Sequence, residues 1–453
     1  MIYEKLNREI EKLQKEIIKT IQECIQIESV KGSEEKDAPY GRGPKEALEY
    51  ALHLGKTFGL KTKNVDNRAG WVEYGEGEEM VAVLGHLDVV PAGEGWIYPA
   101  FKGEIHDNKI FGRGVLDDKG AVIGAIYGLK ALKNLGIKTD YRIRVIFGTD
   151  EESGCSCIRH YIKVGEEQPI MGFTPDGDYP LIFFEKGMTT LTVGRRKPKL
   201  DENILYFQGG IAKNIVSPSC RLILRGKVSI KDNEDVSIEY KDGQTIIDAK
   251  GIGAHGSKPQ LGKNAVISLL ETIKTLEISG DFKKMSDFLL TEIGRETTGK
   301  TLGILYEDEE TGETTVNLGI VKYNADEMSM TLDIRYPKNA AHEEVLSKVE
   351  NVLKKYDMEI LDCTHENCLY VPLDSDLVTK LMKVYVEQMG CYDKPMAIGG
   401  GTYAKMFKNM VAFGPVFQGM PDIIHQANES VNIDLLIKSI QITTAGMLEL
   451  ATK

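Results

Sequence analysis

No run of about 18 uninterrupted apolar residues occurs in this 453-residue chain, which leaves it without a candidate membrane span. A secretory leader is missing as well: Glu4, Glu9, Glu11 and Glu16 stand where an apolar core would be needed. Cysteine is sparse. Seven residues, an odd number, do not make a disulfide framework, and together with the missing leader they point to a reducing cytoplasm. Cys155 and Cys157 have a single residue between them, the wrong spacing for a CxxC site. A basic excess is lacking too. The 56 Lys and Arg against 68 Asp and Glu leave a formal net charge of −12, so no nucleic-acid partner is expected. Repeats at solenoid periods and low-complexity tracts are also absent.

What is present reads as globular. Hydrophobic residues are 42% and charged residues 27%, an ordinary balance, and at about 150 residues per domain the length suggests roughly three domains' worth of chain. Leu6, Ile10, Leu13, Ile17 and Ile21 recur at helical spacing and predict an amphipathic helix at the start. Met80 to Leu84, Tyr141 to Phe147 and Met171 to Thr174 read as strands. Between the first two, Val122, Ile123, Ile126, Leu129, Leu132 and Leu135 form a helix face closed by Gly136. Strand, helix, strand at this spacing predicts an α/β unit with a mostly parallel sheet flanked by helices.

From about Met188 the pattern changes to α+β. Leu191 to Val193, Arg221 to Leu224, Val228 to Ile230, Val236 to Tyr240, Thr245 to Ala249 and Met328 to Ile334 are strand-like, with helices over Ala265 to Leu276 and His342 to Tyr356. The α/β pattern returns with a helix over Val378 to Met389, a strand at Val411 to Phe413 and a last helix from Ile433. The expected organisation is an α/β domain over 1–187 and 378–453, interrupted by an inserted domain over 188–377. Glu202 to Gly209 (ENILYFQG) is close to a protease cleavage tag, but it has an additional Ile and lies mid-chain, so it reads as coincidence.

Acidic and histidine motifs follow the predicted strands of the α/β part. They are Gly85-His86-Leu87-Asp88, Thr149-Asp150-Glu151-Glu152, Pro175-Asp176-Gly177 and, further on, His425; Asp117-Asp118 opens a helix. Ligands of open α/β sheets collect at the carboxyl ends of strands, so these motifs converge. Two histidines and several carboxylates without cysteine suit Zn²⁺, Mn²⁺ or Co²⁺. Two such ions bridged by a carboxylate can together activate water and polarise a carbonyl. One carboxylate must then stay off the metals as base, a division that adjacent Glu151 and Glu152 allow.

These motifs make the chain recognisable. GHLDVVPAG (85–93), GRGVLDDKG (112–120), GTDEESG (148–154), PDGDYP (175–180), AHGSKPQLGKNA (254–265), IRYP (334–337), GGGTYAK (399–405) and His425 resemble, in order, the M20 metallopeptidase family, most closely its bacterial dipeptidase branch, the PepV-like Xaa-His/β-alanyl dipeptidases. The resemblance runs from about Ile25 to the end. It implies a catalytic domain with an inserted lid, and two divalent ions per chain, Zn²⁺ first with Mn²⁺ or Co²⁺ as alternatives. His86 and Asp176 would bind one ion, Glu152 and His425 the other, and Asp117 would bridge. Asp88 would orient His86, Glu151 would be the general base, and a cis peptide would follow Asp117. In the lid, His255 would stabilise the oxyanion. Asn214 and Arg335 would hold the substrate's C-terminal carboxylate, with Gly399, Gly400, Gly401 and Thr402 completing the clamp.

The expectation is therefore a cytoplasmic, monomeric metallodipeptidase acting on small peptides, with no nucleic-acid or membrane partner. An N-acyl-amino-acid or N-succinyl deacylase using the same metals is the alternative, and a non-catalytic binding protein on this scaffold is a further one.

Overall fold

A computed structural model describes residues 2–453 of the chain. It divides into two compact units: one runs to Phe184 and resumes over Leu369–Met396 and Gly401–Lys453, and the other comprises Glu185–Cys368 with Ala397–Gly400.

The first unit is built on a mixed sheet. Its middle is parallel: Arg142–Gly148, Met80–His86, Met171–Thr174 and Met410–Ala412 lie side by side in that order. Antiparallel strands Ala69–Tyr74 and Lys61–Val65 extend it beyond Arg142–Gly148. The strand Met80–His86 is buried along its whole length, as a strand covered on both faces must be, which is why it reads as an unbroken apolar run. Register matters more than composition here. His86 is abreast of Gly148, and Val83 is abreast of Phe173. The segments that follow these strands therefore leave the sheet at one edge and at one level.

The helix Lys119–Asn134 is buried on nearly every side, because it lies between the sheet and the helices Ile2–Ile25 and Ile433–Leu450. An all-round apolar helix belongs in such a place. Its first turn comes very close to the strand. A Cβ on Gly85 would meet Asp118 Oδ2 at 2.4 Å and Val122 Cγ2 at 2.5 Å, so only glycine permits this approach. Gly136, just beyond the helix, takes the left-handed conformation at φ 61°. The amphipathic pattern of the first helix is borne out: Leu6, Ile10, Ile17 and Ile21 are fully buried.

The second unit carries an eight-stranded antiparallel sheet, with the helices Ala265–Ile273, Gly280–Phe288 and His342–Lys355 contributing to its core. One expected strand needs correction. Val228 to Ile230 forms no strand. The chain turns away at Gly226, and the Val228 N–H donates to the Thr245 side chain instead of a ladder carbonyl. Conversely, the tag-like stretch contains an interior strand, Ile204–Gly209, between Ser219–Arg225 and Thr315–Tyr323.

The expected boundaries at 187/188 and 377/378 also move. Leu369–Tyr370 ends the first unit's sheet, and the Val371 N–H donates to Phe183 O at 2.9 Å. Gly399 instead belongs with the second unit, where its carbonyl accepts from Arg335 Nη1 at 2.8 Å.

Leu129 is fully buried in the helix Lys119–Asn134. Leu129→Ala leaves a cavity there and is expected to lower stability by about 2–5 kcal/mol, measured by chemical denaturation.

Candidate metal centre

Every presumed metal ligand is delivered by the first unit, from a segment at the same sheet edge. His86 is the last residue of Met80–His86, Glu151 and Glu152 follow Arg142–Gly148, and Asp176 follows Met171–Thr174. Asp117 immediately precedes the helix Lys119–Asn134, and His425 sits in the loop beyond Met410–Ala412.

The structure brings the five together. Asp117 Oδ1 is 2.8 Å from His86 Nε2, and Asp117 Oδ2 is 2.8 Å from His425 Nε2. His425 Nε2 is also 3.2 Å from Glu152 Oε2, and His86 Nε2 is 4.0 Å from Asp176 Oδ2. His86, Asp117 and Glu152 can each offer one ligand atom with all three atoms inside 4.8 Å of one another. His86 is fully buried, and Asp117 and Glu152 nearly so, while the His425 side chain is half exposed. The Asp117–Asp118 peptide is cis.

Asp88 meets the His86 ring as expected, and it has a second task. The His86 Nδ1 lies 2.9 Å from the Asp88 main-chain carbonyl, whereas the carboxylate oxygen is 3.6 Å away. That carbonyl therefore sets the ring, leaving Nε2 toward Asp117. The Asp88 carboxylate instead accepts the Glu151 N–H at 3.1 Å with Oδ1 and the Glu152 N–H at 3.2 Å with Oδ2. One buried acid thus fixes the backbone of both neighbouring glutamates. The same turn is held from the other side, where Asp150 accepts from Lys31 Nζ at 2.6 Å and from the Ser156 hydroxyl and N–H.

Charge is crowded here. Burial and the neighbouring acids Asp176, Asp117 and Glu152 push the Glu151 carboxyl well above its usual range, against the pull of His86. Burial opposes charge on His86, but the hydrogen bond with Asp117 and the charges of Asp117 and Asp88 raise its pKa well above the usual range for an imidazole. The hydrogen bonds with Asp117 and Glu152 push His425 up to about 10. Burial works against ionised Asp117, yet the two histidines hold its carboxyl low. Protons on the imidazoles thus compensate a cluster of carboxylates.

The donor set fits divalent cations equally well. Two atoms that share a metal at about 2.0–2.2 Å stand roughly 3 Å apart, the separation seen between Asp117 and each histidine. Glu152 Oε1 is buried with no hydrogen-bond partner, an acceptor that a cation would satisfy. His86, Asp117 and Glu152 could therefore hold a divalent cation, and the Glu151 N–H is anchored by Asp88.

Sequence reasoning missed Asp118, whose buried carboxyl accepts the His86 N–H at 3.1 Å with Oδ2 and keeps Oδ1 without a partner. Burial raises its pKa strongly. The pair Asp117-Asp118 was the only signal for it.

The presumed substrate residues are mostly in the second unit. The His255 Nδ1 faces the Ser257 hydroxyl at 2.7 Å, and the Asn214 carbonyl accepts the Gly256 N–H at 2.7 Å. A Cβ on Gly256 would meet Asp333 Oδ2 at 2.3 Å, so the loop of His255 is seated against Asp333. Asp333 in turn pairs with Arg335, whose Nη2 donates at 2.8 Å and whose Nη1 donates to Gly399 O. Those bonds and the one from Nε leave Arg335 one N–H on each Nη nitrogen. Gly400 belongs to the second unit as well, whereas Gly401 and Thr402 belong to the first. The Thr402 hydroxyl accepts the Ala404 N–H at 3.2 Å and caps the turn Tyr403–Met406.

Comparison with known proteins gives the family and the fold. A family model described as peptidase family M20/M25/M40 matches residues 82–449. "Putative dipeptidase YtjP" of Bacillus subtilis (strain 168) is 35% identical to this chain, covering 98% of it and 100% of its own length. Human carnosine dipeptidase 1 superposes with a TM-score of 0.61 at 15% identity, covering 100% of this chain and 99% of its own. The di-peptidase Dug1p of Saccharomyces cerevisiae gives 0.59 at 15% identity, with 99% and 98% covered. The two structural likenesses speak for the fold. Among the described residues, no helix is long and apolar enough to cross a membrane.

Imidazoles bind metal only when neutral, so binding must release the protons held by His86 and His425. Affinity for Zn²⁺ or Mn²⁺ is expected to strengthen as pH rises from 6 toward 8, with net proton release in calorimetry across buffers of different ionisation enthalpy. Asp117→Asn is expected to lower the amount of metal the chain retains, read by metal analysis after dialysis.

Proposed function

The chain belongs to peptidase family M20/M25/M40 and is a peptide-bond hydrolase; from that premise we propose that it cleaves dipeptides with two divalent ions, Zn²⁺ first among them, held by His86, Asp117, Glu152, Asp176 and His425. The observation that carries this reading is the Asp117 carboxylate turned to two imidazoles at once, with Glu152 and Asp176 flanking them.

Bound there, the ions supply electrophilic polarisation of the scissile carbonyl and a lowered pKa for the attacking water. The chain's own residues do the rest. Glu151 takes the proton from that water at its carboxylate and returns it to the leaving amine. A carboxylate kept off the ions can take up that proton and give it back, the two halves of general base and general acid work. Asp88 keeps the two glutamates apart in role by fixing both of their backbone N–H groups. His255 donates a hydrogen bond to the developing oxyanion, with its Nδ1 turned to Ser257 and its Nε2 serving as donor. Arg335 uses its remaining N–H groups on the substrate's terminal carboxylate, a role shared with Asn214, Gly399, Gly400, Gly401 and Thr402. A clamp on that carboxylate excludes a third residue, which accounts for a preference for dipeptides. The enzyme is monomeric, with His255 supplied by the same chain, and acts in the cytoplasm on small peptides.

Assays of free dipeptides against tripeptides and N-acylated amino acids test the substrate class. Dipeptides are expected to turn over best, and turnover of acylated substrates alone would overturn the reading in favour of a deacylase. Chelation should abolish activity, with Zn²⁺ or Mn²⁺ restoring it. Glu151→Gln is expected to lower kcat by roughly 10²–10⁴-fold at unchanged metal content, and His255→Ala by roughly 10²–10³-fold. Light scattering that found only a dimer would reject the monomer.

A further inference from the structure

Outside the presumed ligands, one fully buried acid has both carboxylate oxygens accepting from the segment that leads to Asp117. Glu429 Oε1 accepts from Leu116 N at 2.9 Å, from Gly114 N at 3.1 Å and from Asp117 N at 3.4 Å. Its Oε2 accepts from Arg113 Nη1 at 2.7 Å and from Gly114 N at 3.2 Å. Glu429 and Arg113 are both buried. The main chain repeats the connection. The Glu429 carbonyl accepts the Gly112 N–H at 3.0 Å, and the next residue, Ser430, pairs with Phe111.

Resting on the metal reading above, we propose that Glu429 is a positioning residue of the metal centre, its carboxylate holding the Gly114–Asp117 backbone so that Asp117 faces His86 and His425 together. Glu429 lies just after His425 in the chain. Its carboxylate therefore ties the loop of one imidazole to the loop of the bridging acid. Arg113 carries the tie further. Its Nη2 donates to the Pro91 and Ala92 carbonyls at 3.4 Å, in the loop that leaves His86 and Asp88. Three ligand-bearing segments are thus joined through one buried pair.

Charge type is essential to the arrangement. The groups facing Glu429 are N–H donors from Arg113, Gly114, Leu116 and Asp117, so only an acceptor on both arms satisfies them. An amide would turn its NH₂ arm toward donors. A functional constellation must be held within about 0.5 Å of its productive geometry, which a braced backbone provides. A buried ion pair with a purely structural role would affect stability alone and leave the spacing of the two metal sites unchanged.

The test uses the full-length protein and Glu429→Gln, both titrated with Mn²⁺ and followed by calorimetry and electron paramagnetic resonance. The wild type is expected to bind two ions and show an exchange-coupled signal. The variant, checked for folding by circular dichroism, is expected to bind the second ion about 10–100-fold more weakly and to lose the coupled signal. Its kcat should fall while KM for a dipeptide changes little. A folded variant with wild-type affinity and coupling would overturn the proposal. If the variant does not fold, amide hydrogen exchange of the metal-free wild type decides the matter. Slow exchange at Gly114 and Leu116 supports the brace, and exchange at the rate of an unprotected loop overturns it. A wild type that binds no Mn²⁺ would instead overturn the metal reading, and the exchange measurement would still judge Glu429.

Discussion

Asp117 faces two histidines from distant parts of the chain, with one oxygen directed to each. A carboxylate can serve two partners in this way only if its plane is fixed, and a side chain with two rotatable bonds does not fix it alone. The backbone must be held, and the partners must arrive at the same height. Parallel pairing of Met80–His86 with its two neighbours provides the height, because residues abreast in a parallel sheet leave it at one edge. The buried hydrogen bonds around Asp117, Asp88 and Asp118 provide the restraint. Each of these acids accepts main-chain or imidazole hydrogens from a segment distant in sequence.

The same crowding sets the chemistry. Buried carboxylates repel one another, and the repulsion is relieved either by protons on the imidazoles or by cations. Glu151 stands where burial and the neighbouring acids act on it without a strong hydrogen bond to hold its charge, so its proton affinity rises. Asp117 experiences comparable burial and moves the opposite way, because two histidines face it. Two acids in one cluster are thereby separated in proton affinity by their partners, a division that composition alone does not contain. Such a concentration of like charge opposes folding, and the apolar packing of Met80–His86 and Lys119–Asn134 offsets it.

Much of this was legible in the residues. Apolar runs ending at Gly85 and Gly148 marked the central strands, and the acidic and histidine motifs after them marked the site edge. The order of motifs carried the family likeness. Less was legible where one residue type can do two things. Asp88 looked like a partner for His86 and is one through its carbonyl, but nothing in the sequence showed that its carboxylate also takes the N–H groups of Glu151 and Glu152. Val228 to Ile230 has strand-like residues, yet the turn at Gly226 removes them from the ladder. The stretch at 202–209, whose likeness to a tag reads as coincidence, contains an interior strand that no expectation named.

Local chemistry belongs to the sequence: where apolar periodicity makes strands and helices, which residues can ligate or transfer protons, and that adjacent acids could divide two tasks. Those properties depend on residues a few positions apart. Which oxygen faces which nitrogen depends on contacts between segments hundreds of residues apart, whose distances no periodicity encodes. Tertiary structure alone decided that His86 and His425 share one carboxylate, that Asp88 braces the acid pair, and that the Glu429 carboxylate meets the backbone leading to Asp117. Register within the sheet and burial of unlike charges select those meetings, and both exist only once the chain is packed.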